Sequence, residues 1–518
     1  MAYTAPKFKC VYLDHTGFAF ASVEIILYLA IAFLNRKLTY QFTTMKRTFL
    51  CVMSIIWICL LSSANLFAEI KLPSIFCDNM VMQQQTDAAI WGKAVKNATV
   101  KVTTSWNHKT YSTTASADGT WKLKVTTPKA GGPYEITLSD GKSLKLKNVL
   151  IGEVWVCSGQ SNMEMPVKGY RNQPVLGSAD AIALSSNPEI RLFTVKKATS
   201  LNALDDFSGS WSLCEPENVA EFSATAYFFG LMLNRALRVP VGLINSSWGG
   251  TRIEPWISES GCKNFDWVKL PEKKPVEKLS PQTPTVLFNA MINPMVGYGI
   301  RGAIWYQGEW NKDQPQEYQK LMPGLIQNWR TLWGIGDFPF YYMQIAPFNY
   351  GPGGLSSAYL REAQLKASTA IPNIGMACIM DIGEKDCIHP SHKETGSKRL
   401  ALLALAQTYG LKGIPCQSPV LKDMKVAEGV VKLTFDQAPN GLTSFGKELS
   451  CFEVAGANKR FVPAKAFITG SGITVFSPDV AEPVAVRYAF QDFIVGDLFS
   501  TEGLPVSSFR TDDWAPSK

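Results

Sequence analysis

Between residues 69 and 150 apolar and polar side chains alternate with a period of two in short runs, at 99–103, 121–125 and 134–138 among others. Turn signals separate them: Asp118-Gly119, Gly131-Gly132-Pro133 and Asp140-Gly141. Short half-buried strands joined by tight turns predict a small β-sandwich. Past residue 150 the rhythm changes. Apolar runs at 153–157, 241–245, 302–306, 340–345 and 375–380 read as strands, and they alternate with helical periodicity over 224–237, 317–333, 357–369 and 393–409. That order predicts a three-layer α/β domain over 151–410, a parallel sheet with helices on its faces. Residues 262–284, carrying Pro271, Pro275, Pro281 and Pro284, form an irregular excursion from it. Short alternating runs return over 417–509 and predict a second β-sandwich within 411–518.

A length of 518 residues exceeds one ordinary core, which agrees with several domains. With 46% hydrophobic and 18% charged residues, the chain reads as globular rather than disordered. The first residues need separate treatment. Met45, Lys46 and Arg47, the apolar run 49–61 and the small residues up to Ala68 have the order of a secretory signal over 45–68. Residues 1–44 then stand upstream of the natural start as a non-native extension, with Met45 the expected initiator. Export to the periplasm or the extracellular space follows, with no stable membrane insertion once the signal is cleaved. Taking the six Lys/Arg and two Asp/Glu of residues 1–68 from 51 and 43 leaves 45 against 41, so the net charge falls from +8 to +4. No basic cluster with interleaved aromatics remains, which argues against nucleic acid as a partner. The eight cysteines beyond residue 68 are scattered singly, a pattern that argues against zinc.

The chemistry concentrates at strand ends. Gly159, Gln160, Ser161, Asn162 and Met163 directly follow an apolar strand, where open α/β sheets present their functional groups. A serine hydroxyl at such a position is a nucleophile if a base can take its proton, and histidine is the usual base. Of the four histidines, His389 follows the last predicted strand after a short acidic loop, so it belongs to the same sheet edge as Ser161. Asp386 precedes His389 by three residues in a DxxH pattern that places an acid to accept the Nδ1 proton. Asp381 at the strand end competes for that role, and a serine–histidine dyad with backbone orientation is the third reading. Two more strand ends, 245–251 and 306–311, carry glycines whose amides approach a ligand closely, and Gln307 adds a side-chain amide.

Taken together, Gly159–Met163, Ser247-Trp248-Gly249-Gly250-Thr251 leading into Ile253-Glu254-Pro255-Trp256, Trp305-Tyr306-Gln307-Gly308-Glu309, and Ile388-His389-Pro390 followed by Lys393 are a specific set. Over nearly all of residues 69–510 the sequence resembles the sialate O-acetylesterases. The resemblance implies fold class α/β: an SGNH-hydrolase-type, flavodoxin-like catalytic domain, here flanked by N- and C-terminal β-sandwich domains. It implies Ser161 as nucleophile, His389 as base, and an oxyanion hole from the Ser161 amide, Gly249 or Gly250, and Gln307. Two positions depart from the family pattern. Trp310 stands where relatives often have serine, and Cys387 stands where many have aspartate directly before Ile-His-Pro, so Asp386 and Asp381 both stay open as the acid.

Trp248, Arg252, Glu309 and Trp310 are the candidate substrate-binding residues, and half of the tryptophans 248, 256, 305 and 310 are expected in the core. Glu309 and Glu254 read more readily as carboxylates holding loop amides than as catalytic acids. A glycosidase would need two such acids flanking its substrate, and that reading leaves the Ser161 turn and Gln307 without a purpose. The expected activity is hydrolysis of an O-acetyl ester on a sugar, sialic acid by family implication, with no metal or organic cofactor required. An acetylesterase for plant polysaccharides such as acetylated xylan uses the same machinery, and a non-catalytic carbohydrate-binding protein is the rival from outside the enzymes.

Overall fold

Six short strands, β1 (Val81–Gln83), β2 (Asp87–Lys93), β3 (Thr99–Thr104), β4 (Thr110–Thr114), β5 (Thr120–Thr126) and β6 (Gly131–Ser139), lead into the long strand β7 (Ser143–Gly159). The computed structural model describes residues 70–274, 278–470 and 472–514, so the expected extension at 1–44 and signal at 45–68 lie outside the described residues. The alternation in the sequence is realised directly. In β5, Trp121, Leu123 and Val125 are buried while Lys122 and Lys124 face solvent, as a pleated strand with one covered face requires. β2 pairs with β5, β3 with β4 and β6, and β6 runs antiparallel to the first part of β7.

β7 then continues without a break across the domain boundary expected at residue 150 and becomes the centre of a second sheet. Its partners there are β8 (Asn187–Thr194), β9 (Trp211–Cys214), β10 (Val241–Ser247), β11 (Gly302–Tyr306), β12 (Phe340–Met343) and β13 (Ile374–Ala377). The order is β13-β12-β11-β7-β10-β8-β9. All neighbours are parallel except the edge strand β9. Every residue of β10 and β11 is buried, which explains their uniformly apolar or small character, since a parallel sheet is covered on both faces. Along β7, Val154 and Val156 enter a core with Trp256, Trp305 and Leu325, while Trp155 and Cys157 enter another with Phe229, Leu233 and Leu400.

The covering helices are α1 (Ser161–Glu164), α2 (Ala224–Leu237), α3 (Pro315–Trp333), α4 (Ser356–Ala367) and α5 (Lys393–Leu403). Helix α2 starts where the Ser223 hydroxyl accepts from the Ala226 amide and stops at Arg238 in the left-handed region. Helix α3 has proline in its first turn and Gly334 just past its end, the asymmetry expected of helix ends. The five strands and four long helices expected from periodicity are present, but β8 and β9 were not anticipated. β8 opens on Asn187-Pro188-Glu189, which reads as a break, yet it sits near the sheet's margin where a proline at a strand's start is tolerated. The expected helix 393–409 is also divided, its last turn widening over Ala404–Thr408.

Two four-stranded antiparallel sheets follow, built around Val430–Asp436 and Phe452–Ala455. Their core residues Val431, Leu433, Val454 and Tyr488 pack with Cys378 and Met380, which lie just beyond β13. The eight described cysteines are free thiols. Among the described residues no helix is long and apolar enough to cross a membrane.

Candidate active site

Three strand ends are locked together by their backbones. At Gly159, where β7 ends, φ is +140° and a Cβ would lie 2.2 Å from the Tyr306 carbonyl oxygen, so only glycine fits. The Gln160 amide donates to that same carbonyl at 3.0 Å, and the Trp248 amide donates to the Gly159 carbonyl at 3.0 Å. The ends of β7, β10 and β11 therefore share one rim, with half-buried Ser161 on it.

Asn162, fully buried next to Ser161, joins that rim to the segment after β13. Its Nδ2 donates to Glu309 Oε1 at 2.7 Å and to the Ile388 carbonyl at 3.0 Å, while its Oδ1 accepts from Lys393 Nζ. Ser161 and His389 are thus each one residue from opposite ends of a single hydrogen bond. The sequence motif held Asn162 but gave it no role, because its partners lie 147 to 231 residues away. Lys393 and Glu309 are 4% and 5% exposed. Burial pulls the Lys393 ammonium down to about 7 and pushes the Glu309 carboxyl up, each toward its neutral form. Lys393 also lies over the Tyr306 ring at 5.4 Å. Glu309 is therefore a buried carboxyl group holding the framework, and its expected place among substrate-binding residues is corrected: its Oε1 is engaged and its Oε2 is enclosed.

The His389 ring is fixed by Gln173, whose Oε1 lies 2.6 Å from Nδ1, and by the edge of Tyr170 at a centroid distance of 5.4 Å. Burial lowers its pKa to about 4, with Lys393 adding to the effect. Neither expected acid reaches the ring. Asp386 is exposed and makes no hydrogen bond or ion pair with any described residue. The DxxH spacing aligns two side chains on a helix, but residues 381–392 form turns, and the two groups part. Asp381 is held by Arg399 through contacts of 2.6 and 2.7 Å.

Of the expected oxyanion donors, the amides of Ser161 and Gly250 carry no hydrogen bond to a described residue, whereas the other two are engaged. Gly249 presses on Ser161, where a Cβ would stand 3.1 Å from the serine Cβ, but its amide donates to Glu164 Oε2. Glu164 in turn pairs with Lys197 at 2.6 Å. Gln307 is fully buried, its Nε2 donating to the Thr251 carbonyl at 3.1 Å and to Asn311 Oδ1 at 2.8 Å. Both its hydrogens are used, so Gln307 braces two loops rather than facing a substrate.

Trp256 and Trp305 are core residues in edge contact, while Trp310 is 53% exposed and sits beside Gly250. Half-buried Trp248 lies under Lys197. Gln282 clamps this rim, accepting from the Arg252 amide and donating to the Gly250 carbonyl. Arg252 Nη1 donates to Gln314 Oε1 at 3.1 Å, and the guanidinium has no carboxylate partner among the described residues. Among those residues no group of three His, Cys, Asp or Glu side chains is gathered to hold a metal.

The family model described as "Carbohydrate esterase, sialic acid-specific acetylesterase" matches residues 151–408. Sialate O-acetylesterase from Mus musculus is 30% identical over 482 residues, 80% of this chain and 88% of that protein. The Homo sapiens sialate O-acetylesterase is 30% identical over 406 residues, 71% of this chain and 77% of that one. Among solved structures, a carbohydrate acetylesterase from Xanthomonas citri superposes with a TM-score of 0.79 at 35% identity, covering 86% of this chain and 100% of the other.

Proposed function

Since the chain belongs to the sialic acid-specific acetylesterase family of carbohydrate esterases, we propose that Ser161 and His389 carry its acetylesterase reaction and that an O-acetylated sialic acid is its substrate. The supporting observation is the junction at Asn162, which ties the serine turn to the segment bearing the imidazole. In this reading His389 Nε2 takes the Ser161 hydroxyl proton as Oγ attacks the acetyl carbonyl. The Ser161 amide, free of a hydrogen bond to any described residue, receives the developing oxyanion with the Gly250 amide. Collapse of the tetrahedral adduct breaks the ester C–O bond, and the imidazolium returns its proton to the departing sugar oxygen. Water, deprotonated by the same base, then attacks the acyl-enzyme, and acetate leaves as the imidazolium returns that proton to Ser161 Oγ.

The finer architecture belongs to the same proposal: an SGNH-type domain over 151–410 with β-sandwich domains on either side, exported through the signal at 45–68. An amino terminus near Ala68 on the mature protein in culture medium or periplasm is the expected result, and retention of Met45 in the cytoplasm opposes it. For the sugar, Arg252 is the argument. A half-buried guanidinium at the substrate rim, without a counter-ion among the described residues, suits a carboxylate, which sialic acid has and the xylan backbone lacks. Acetate release from O-acetylated sialic acids should exceed that from acetylated xylan. Arg252→Ala should raise KM for the acidic ester by about tenfold, roughly one charge-assisted hydrogen bond, and leave a neutral acetyl ester unaffected. Faster turnover of xylan, or equal losses on both esters, would reject the acidic-sugar assignment.

A further inference from the structure

We propose that Gln173 is the positioning residue of the general base, its side-chain carbonyl accepting the Nδ1 proton of His389 where a serine hydrolase ordinarily uses a carboxylate. The inference rests on the assignment of His389 as base, and goes beyond it in naming what orients the ring.

The loop from Pro166 to Val175 is built to deliver this amide. Tyr170 and Gln173 exchange backbone hydrogen bonds of 3.0 Å across a tight turn in which Asn172 is left-handed, with φ of 60°. The Leu176 amide donates to the Ser391 carbonyl at 3.0 Å, pinning the loop to the segment that carries His389. The Tyr170 ring meets the imidazole edge-on. Both sides of the 2.6 Å contact are therefore fixed by separate backbone bonds, and it bridges 216 residues of sequence. An amide oxygen only accepts, so Nδ1 carries the proton and the Nε2 lone pair is left for Ser161.

A neutral acceptor orients the ring but supplies no counter-charge to the imidazolium formed during reaction. The titratable and charged groups around the ring are Tyr170 from the loop, Lys393 from α5, and Cys387 on its own segment, whose thiol donates to the His389 carbonyl at 3.1 Å. Glu164 couples to the Tyr170 hydroxyl and is held by Lys197 and the Gly249 amide, Glu309 accepts from Asn162, and Glu384 is occupied by the Ser391 amide and hydroxyl. With no carboxylate of a described residue against the ring and burial disfavouring its charged form, the base stays neutral well below the ordinary histidine range. Activity should persist into mildly acidic conditions.

The test is a pH profile of kcat/KM on a small acetyl ester for the wild type, Gln173→Ala, Gln173→Glu and Asp386→Asn, with melting curves to check folding. Gln173→Ala should lose kcat by about 10²-fold with KM within about twofold, as loss of orientation alone predicts. Gln173→Glu keeps the shape and acceptor but adds an anion, which favours imidazolium. It should restore much of kcat and move the acid limb up by about one pH unit or more, a shift that a purely structural role would not produce. Asp386→Asn should stay within about twofold of the wild type, since a true triad aspartate loses on the order of 10⁴-fold. Unchanged kcat in a folded Gln173→Ala, an unmoved acid limb in Gln173→Glu, or a large loss in Asp386→Asn would each overturn the proposal. Activity surviving in Ser161→Ala would instead remove the nucleophile, so the two failures are separable.

Discussion

Ser161→Ala is expected to reduce acetate release by on the order of 10⁴- to 10⁶-fold with the melting temperature unchanged, and His389→Ala by a similar factor. The two losses should not add in the double variant, because nucleophile and base act in one step. The serine is half-buried at the rim and its hydroxyl takes part in no described hydrogen bond, so alanine removes an oxygen without leaving a buried partner stranded. The histidine leaves only the Gln173 carbonyl, close to solvent, without its partner. Rates on a chromogenic acetyl ester together with thermal melts measure both quantities. Wild-type rates in either folded variant would remove these residues from the mechanism.

Asn162→Ala is expected to damage stability and rate together. The asparagine lies fully inside the protein and its amide is shared by Glu309, Lys393 and the Ile388 carbonyl. Alanine would leave a buried ammonium and a buried carboxyl without their common neighbour. Leaving a buried donor or acceptor unsatisfied in this way costs about 1–3 kcal/mol, more where the group is charged. It would also cut the tie that sets the distance between the serine turn and the His389 segment, and a displacement near 1 Å at a reacting pair costs on the order of 10²-fold. A clear fall in melting temperature with kcat reduced by that order, and KM little changed, is the expected pattern. Wild-type melting and kcat would show that the junction carries neither load.

How much of this was legible in the chain differs between elements for physical reasons. Strand Gly302–Tyr306 and helix Ala224–Leu237 coincide with the expected residues because burial on both faces, or a serine cap and a left-handed stop, write their limits locally. β8 escaped because Pro188 reads as a break and its place near the sheet's margin is a tertiary fact. The serine turn and the histidine segment could be paired from motif and strand-end position, whereas the roles of individual polar groups could not. Gln307 has the composition of a donor, but only the arrangement of Thr251 and Asn311 around it decides that its hydrogens are spent. Asp386 had the right spacing for a geometry that residues 381–392 do not adopt. Gln173 carries no local signal, since an amide in a turn-rich loop looks the same whether it faces water or an imidazole.

The unbroken course of β7 has an engineering consequence. The strand that ends at Gly159 begins at Ser143 against β6 and is flanked by β1 at Leu150–Gly152. A chimera spliced at residue 150 would sever a ladder on both sides and free the very segment that aims the serine. Swapping the amino-terminal module for another therefore means grafting upstream of Ser143 and preserving the β1 and β6 edges, or else resetting the register on which the catalytic turn depends.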